Sequence, residues 1–263
     1  MGFGAMQLGG RNAFGPADDP QRSRRALRTA IELGVRHVDT SDYYGPHLVN
    51  ELIRDTLWPY PEDLVLVTKI GGRRDAAGRW LPALSPDEIR AGVHDNLTHL
   101  GVDRLDVVNL RVMTAGEPIG EKFAVLAELQ AQGLIRHLGV SNVDSAQLAE
   151  AQRIAPVECV QNMYSVADRS DNPLLDECAE QDLAYVPFFP LGSAFRPFDA
   201  AGLTTVAERH GVSIHRVALA WLLRRSPNIL VIPGSGDPAH VVDNVAAASL
   251  TLTDEDVAEL NRS

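Results

Sequence analysis

Eight short apolar runs alternate with helical stretches along the whole chain, and this alternation restricts the possible fold more than any other feature. The runs lie at residues 2–8, 35–39, 64–69, 105–111, 135–140, 157–161, 184–188 and 229–232. Most are near-continuously apolar, as strands covered on both faces must be. Helical patterns separate them at about 22–33, 49–57, 86–100, 121–132, 145–154, 173–181 and 203–225, the last long enough for two helices. Ser85-Pro86-Asp87-Glu88 is a capping box with proline at the first helical position, and Asp144 and Thr253 are candidate N-caps. Strands and helices in strict alternation, with no linker or low-complexity segment, predict an α/β chain folded as one (β/α)8 TIM barrel domain over residues 1–263. A doubly wound open sheet is the alternative. It is weakened because Gly2 and Gly4 form no Gly-x-Gly-x-x-Gly turn. The first strand begins almost at Met1, so the expectation is a barrel without an N-terminal hairpin plugging its bottom, or one with a shortened start.

With 45% hydrophobic residues, 263 residues suffice for one large core. The net charge of -11, with basic pairs only scattered (Arg24-Arg25, Arg73-Arg74, Arg224-Arg225), argues against a nucleic-acid partner. Cys159 and Cys178 give neither a disulfide framework nor a zinc spacing; they are expected to be buried, inert thiols in a reducing cytoplasm. No apolar run approaches a membrane span, and no leader pattern opens the chain, so a soluble intracellular protein is expected. His94 and His99, five apart in a helical pattern, do not share a face; no metal site is expected from the histidines.

Chemistry is assembled at the C-terminal ends of parallel strands. There the sequence places Val38-Asp39-Thr40-Ser41-Asp42-Tyr43-Tyr44-Gly45 and, after the next run, Thr68-Lys69. A phenol of pKa about 10 is a poor acid near neutrality, but a nearby ammonium stabilises its phenolate. A carboxylate beside that ammonium holds it and keeps it charged. Tyr44 as acid, Lys69 as its perturber and Asp39 as the partner of Lys69 could protonate a carbonyl oxygen while another group delivers hydride.

Asp39-x-x-x-x-Tyr44-Gly45, Thr68-Lys69, Gly139-Val140-Ser141-Asn142, Gln161-Asn162-x-Tyr164-Ser165, Pro190-Leu191-Gly192-Ser193 and Ile232-Pro233-Gly234-Ser235 follow one another in the order seen in aldo-keto reductases. The chain resembles that family over essentially its whole length, most closely the bacterial branch that contains pyridoxal reductases. The resemblance implies that Ser141, Asn142 and Gln161 bind the nicotinamide carboxamide and that Phe188 stacks under the ring. It implies that Pro190, Leu191, Gly192 and Ser193, with Pro233, Gly234, Ser235 and Gly236, approach the phosphates, and that Asn244 reaches the adenine. Gly4, Met6 and Asp39 complete the expected cofactor-binding set.

Two features depart from the family pattern. Arg111 stands in the slot of the usual histidine, with Asn109 two residues earlier on the same face. An arginine stays charged and donates five hydrogen bonds but trades no proton. It is expected to orient the carbonyl or an anionic substituent of the substrate and to lower the Tyr44 pKa; the alternative is a structural ion pair. Gly234 and His240 stand where a lysine and an arginine commonly grip the 2′-phosphate of NADP, so NADPH is the expected coenzyme and NADH stays open.

Tyr43, Trp80 and Asn109 are expected to meet substrate. The expected reaction is reduction of an aldehyde or ketone, a small-molecule carbonyl, and the resemblance implies transfer of the pro-R hydride. Pyridoxal leads as substrate because its phenolic oxygen could meet Arg111. Another biosynthetic or sugar-derived carbonyl is the first alternative. A nicotinamide-binding, redox-sensing regulatory subunit is the second; the complete Asp39, Tyr44 and Lys69 set argues against it.

Overall fold

The structure, a computed structural model, describes residues 1–114, 116–192 and 200–262. The strands are β1 (Phe3–Gly4), β2 (His37–Asp39), β3 (Val65–Ile70), β4 (Gly72–Arg74), β5 (Trp80–Pro82), β6 (Leu105–Arg111), β7 (Ile135–Ser141), β8 (Cys159–Gln161) and β9 (Ala184–Tyr185). Seven of them form one parallel sheet in the order β1-β2-β3-β6-β7-β8-β9. The other two, β4 and β5, form an antiparallel hairpin on the loop after β3.

Residues 228–233 close the sheet on itself. On one side Tyr185 N–H donates to Asn228 O (2.9 Å) and Leu230 N–H to Tyr185 O (3.0 Å). On the other, Gly2 N–H donates to Val231 O (2.8 Å) and Gly4 N–H to Pro233 O (3.1 Å). This seam is the eighth stave of a (β/α)8 barrel. It does not run as the strand expected at 229–232: each side is bonded only briefly, with a single bridge from Ile229 to Tyr185, and Pro233 has no N–H to give.

The run expected as a strand over 2–8 is also shortened, because Ala5–Leu8 forms a 3-10 turn. Here the backbones of β1 and the seam cross. A β-carbon on Gly4 would lie 2.5 Å from Ile232 O, and one on Gly234 would lie 2.3 Å from Gly4 O. Only glycine permits that approach, and beyond it the chains cannot run side by side.

Helices α1 (Pro20–Glu32), α2 (Leu48–Leu57), α3 (Pro86–Leu100), α4 (Gly120–Ala131), α5 (Ser145–Gln152), α6 (Asn172–Glu180), α7 (Ala200–His210), α8 (Ile214–Arg225), α9 (Pro238–Ala246) and α10 (Asp254–Arg262) intersperse the strands and follow the seam. The predicted starts hold: Ser85 and Asp144 each form a reciprocal capping box, and the Asp256 N–H bonds Thr253 Oγ1 at 3.1 Å. Alternate residues of each strand point to opposite faces. Val38, Val108, Leu138 and Val160 are fully buried in one cluster with Leu27, Ile53, Ile89, Phe123 and Leu126 of the helices. Each such side chain contributes about 1.5–3 kcal/mol. Val107, Cys159, Ala184, Val186, Leu230 and Ile232 form a second cluster. Val107 shares its face of β6 with Asn109 and Arg111, so that face looks into the barrel and climbs toward its C-terminal mouth.

Cys159 and Cys178 are free and buried. No described helix is long and apolar enough to cross a membrane.

Candidate active site

Asp39 ends β2 and Lys69 stands near the end of β3, so neighbouring parallel strands carry opposite charges to one point. Lys69 Nζ donates to Asp39 Oδ1 at 2.6 Å and to the Thr40 carbonyl at 3.0 Å. The second carboxylate oxygen, Asp39 Oδ2, accepts from Gln161 Nε2 at 2.7 Å. All three side chains are buried, so each charge depends on these bonds.

Tyr44 lies in the turn after β2, which Gly45 makes possible. Gly45 has φ 107°, and a β-carbon there would come within 2.7 Å of Leu48 Cβ. Lys69 Nζ sits 5.4 Å from the centre of the Tyr44 ring. Burial and the Asp39 charge push the Tyr44 phenol well above its ordinary value, and the nearby Arg111 cation works against them. Burial likewise pushes the neighbouring Tyr43 up to about 12. Tyr44 is therefore a neutral phenol with a proton to give. Arg111 is the cation that opposes the rise.

The hairpin brings Trp80 over these phenols. Its ring is edge-on to Tyr43 at 5.4 Å and to Tyr44 at 6.5 Å between centroids. The Arg74 guanidinium stacks on Trp80 at 3.8 Å and lies over Phe14 at 5.2 Å. Its nitrogens also donate to the carbonyls of Asn12, Ala13 and Gly78. Trp80 is thus held between the phenols and the Arg74 guanidinium, in a latch that joins the hairpin to the loop of residues 12–14. Neither Arg74 nor Phe14 carried a signal, since a basic pair in a polar loop reads as a solvated face.

Arg111 ends β6, opposite Ser141 of β7, which in turn is opposite Gln161 of β8. Its Nη1 donates to Ser141 Oγ at 3.2 Å, and its guanidinium lies 4.6 Å from the centre of the Phe188 ring. Among the described residues it makes no ion pair with a carboxylate. Asn109 sits one layer deeper, in register with Lys69 and Gly139. It is fully buried, with its Oδ1 accepting from Cys159 Sγ at 3.2 Å. The expectation that Asn109 meets substrate is corrected: alternation gave the right face, but that layer is packed interior.

The remaining expected residues form a second arc around the mouth. Ser141 and Gln161 are fully buried, and Asn142 holds a left-handed backbone (φ 62°) with its amide donating to Val112 O at 2.9 Å. Met6 is on the 3-10 turn after β1. Pro190 is buried after Phe188, and the Gly192 N–H closes a turn onto Phe189 O; Leu191 lies between, and Ser193 falls outside the described residues. Ser235 Oγ accepts the Asp237 N–H at 3.0 Å and faces His240 Nδ1 at 3.3 Å. A β-carbon on Gly236 would lie 3.2 Å from Gln7 O, and Pro233 closes the seam. Gly4 and Gly234 are explained by the backbone crossing.

A nicotinamide coenzyme fits this arc on two counts. Gln161 Oε1 is buried without a hydrogen-bond partner, an acceptor that a carboxamide N–H₂ would satisfy. Asn244, on α9, is buried at 6% exposure and makes no side-chain hydrogen bond among the described residues.

Asp42, His47 and His99 also meet, which no local spacing announced. His47 Nδ1 lies 2.6 Å from Asp42 Oδ2 and His99 Nδ1 lies 2.8 Å from Oδ1.

Comparison with known proteins agrees with this geometry. The aldo/keto reductase family profile matches residues 1–263. Pyridoxine 4-dehydrogenase of Escherichia coli K12 is 51% identical over 267 aligned positions, covering 99% of this chain and 93% of its own. A thermostable aldo-keto reductase solved with the inhibitor epalrestat superposes with a TM-score of 0.84 at 30% identity, covering 99% and 93% of the two chains. A Klebsiella pneumoniae aldo-keto reductase in complex with NADPH gives 0.82 at 26% identity, covering 99% and 89%. A barrel with the Tyr44 phenol and the Asp39–Lys69 ion pair at its mouth is that of a carbonyl–alcohol oxidoreductase, and the chain belongs to the aldo/keto reductase family. It is an enzyme that uses a nicotinamide cofactor.

Proposed function

We propose that this barrel, working as one domain in the cytoplasm, reduces pyridoxal to pyridoxine with NADPH. The observation that carries the substrate is Arg111, a cation at the mouth with no carboxylate partner among the described residues, beside the Tyr44 phenol. Pyridoxal is an aromatic aldehyde that bears an oxygen anion next to its carbonyl. Arg111 would pair with that oxygen and aim the carbonyl at Tyr44. The pyridoxine 4-dehydrogenase relative supports this substrate class.

The bound nicotinamide supplies the hydride. Tyr44 gives its proton to the carbonyl oxygen as negative charge develops there, and Arg111 stabilises the phenolate left behind. Lys69, tied to Asp39 and the Thr40 carbonyl, adds positive potential on the ring face. Gln161 holds Asp39 with its Nε2 and offers Oε1 to the carboxamide, while Ser141 and Asn142 flank it. Phe188 supplies a face for the ring to stack on. His240 is exposed at the start of α9 and is the natural contact for a 2′-phosphate, but an imidazole lacks the planar five-donor fork by which an arginine would grip it. The preference for NADPH over NADH should therefore be small.

The test follows NADPH consumption by absorbance with pyridoxal beside a panel of other aldehydes and ketones, and with Tyr44→Phe as control. Turnover of pyridoxal that the variant abolishes supports both mechanism and substrate. Turnover of other carbonyls alone keeps the mechanism and discards pyridoxal. Tight NADPH binding with no turnover of anything would overturn the reading in favour of a redox-sensing subunit.

A further inference from the structure

The cluster of Asp42, His47 and His99 takes no part in the chemistry above, yet it is built with care. The two imidazoles pack against each other, their centroids 4.2 Å apart and their planes tilted by 34°. One ligating atom from each of the three residues falls within 4.8 Å of the others. Asp42 is buried, His99 is part-buried, and His47 opens to solvent with its side chain 48% exposed.

Neighbouring groups fix the carboxylate. Asn50 Nδ2 donates to Asp42 Oδ1 at 3.2 Å and to Asn96 Oδ1 at 3.0 Å, and Thr40 Oγ1 donates to Asn50 Oδ1 at 2.8 Å. Thr68 Oγ1 in turn donates to Asn96 Oδ1 at 2.6 Å. Such an outer ring of hydrogen bonds is what orients a metal-ligating carboxylate. The backbone is committed as well: His47 has φ 66° and ψ -37°, a conformation non-glycine residues avoid, and its N–H bonds the Asp42 carbonyl at 2.7 Å. Hydrogen bonding alone requires neither that strain nor two imidazoles on one carboxylate.

Two imidazole nitrogens and one carboxylate oxygen are the donor set of borderline divalent cations, for which three protein ligands and one water make a complete tetrahedral shell. We propose that Asp42, His47 and His99 form a binding site for a divalent cation of the zinc class, with water on the exposed His47 side as fourth ligand. Each imidazole binds through Nδ1 and carries its proton on Nε2. The first two ligands bracket Tyr43 and Tyr44, and His99 sits in the last turn of α3. The cation therefore ties the loop that carries the phenols to the helix beside it. A cavity of about 270 Å³ lined by Asp42, Tyr43, His47, Gly72 and Asn96 gives it a route in.

The probes are Co²⁺, read by its d–d absorption, and Zn²⁺, read by displacement of Co²⁺ and by thermal unfolding of the chelator-treated protein. One equivalent of Co²⁺ is expected to bind saturably with the band intensity of a four- or five-coordinate ion, and Zn²⁺ to raise the unfolding temperature. His47→Ala and His99→Ala should each remove both effects, and His94→Ala, at an exposed helix position, should remove neither. Asn50→Ala keeps every ligand and should weaken binding by about 10- to 100-fold. His47 lies on an exposed loop, so its variant decides the matter even if another fails to fold. Absence of saturable binding, or His47→Ala titrating like the parent, overturns the proposal.

Discussion

Asp39→Asn asks whether Asp39, Lys69 and Gln161 form one charge-balanced unit. The substitution keeps the shape and one oxygen but removes the charge that faces Lys69 at 2.6 Å, where the side chains of Lys69 and Asp39 are 5% and 4% exposed. Removing one partner of a buried pair costs about 3–5 kcal/mol, because the other charge is left uncompensated. Lys69 keeps the Thr40 carbonyl at 3.0 Å, which favours the lower end, about 3 kcal/mol or roughly a hundredfold in the folding equilibrium. Gln161 must respond too. Its Nε2 would face the new amide, two donors together, unless the amide turns over and offers Oε1 instead. That turn removes the open acceptor, so coenzyme affinity should fall along with stability. The assay is urea unfolding of the coenzyme-free protein by circular dichroism, with an unchanged slope against denaturant. Asp39→Asn/Lys69→Met should be more stable than the sum of its two single variants implies, by up to about 3 kcal/mol. A loss below about 1 kcal/mol, the scale of an exposed pair, or strictly additive singles, would refute the reasoning.

Arg111→Met should raise KM for pyridoxal by about tenfold to a hundredfold, the value of a hydrogen bond to a charged group, and change KM for a neutral aldehyde far less; steady-state kinetics on both substrates checks the split. Arg74→Ala removes the stack on Trp80 and its bonds to three carbonyls, so the 72–82 hairpin should be cut faster in limited proteolysis while the barrel stays intact. Burial lowers His37 from 6.5 to about 4, so its neutral form belongs to the folded state. Stability from this residue is fully present above pH 6.5 and is lost as pH falls toward 4, by about 3 kcal/mol in all. Unfolding of the parent and of His37→Gln at several pH values should show that slope only in the parent.

The barrel was legible because strands buried on both faces leave uninterrupted apolar runs, and Ser85, Asp144 and Thr253 mark helix starts with local chemistry. The acid cluster was legible for a related reason, since Asp39, Tyr44 and Lys69 all fall at strand ends. Other features were not. Period-two alternation put Asn109 and Arg111 on one face but says nothing of depth, and depth separates an interior residue from one at the mouth. The β4–β5 hairpin has two short strands of mixed polarity, and so reads as a loop. His99 reaches Asp42 across 57 positions, a contact only the fold creates.

The seam has its own consequence. Between β6 and β7 the sheet is laced along most of its length, whereas the join from Tyr185 through 228–233 to Gly4 rests on the four hydrogen bonds described above. A hoop gives way at its thinnest stave, and this one runs straight into the Pro233–Gly236 loop where the coenzyme is expected to lie. Loading the coenzyme would then act as a clasp. The empty protein should breathe here, so that the amides of Gly2, Gly4 and Leu230 exchange with deuterium sooner than those of Val108 and Leu138, and they should fall quiet once the clasp is shut.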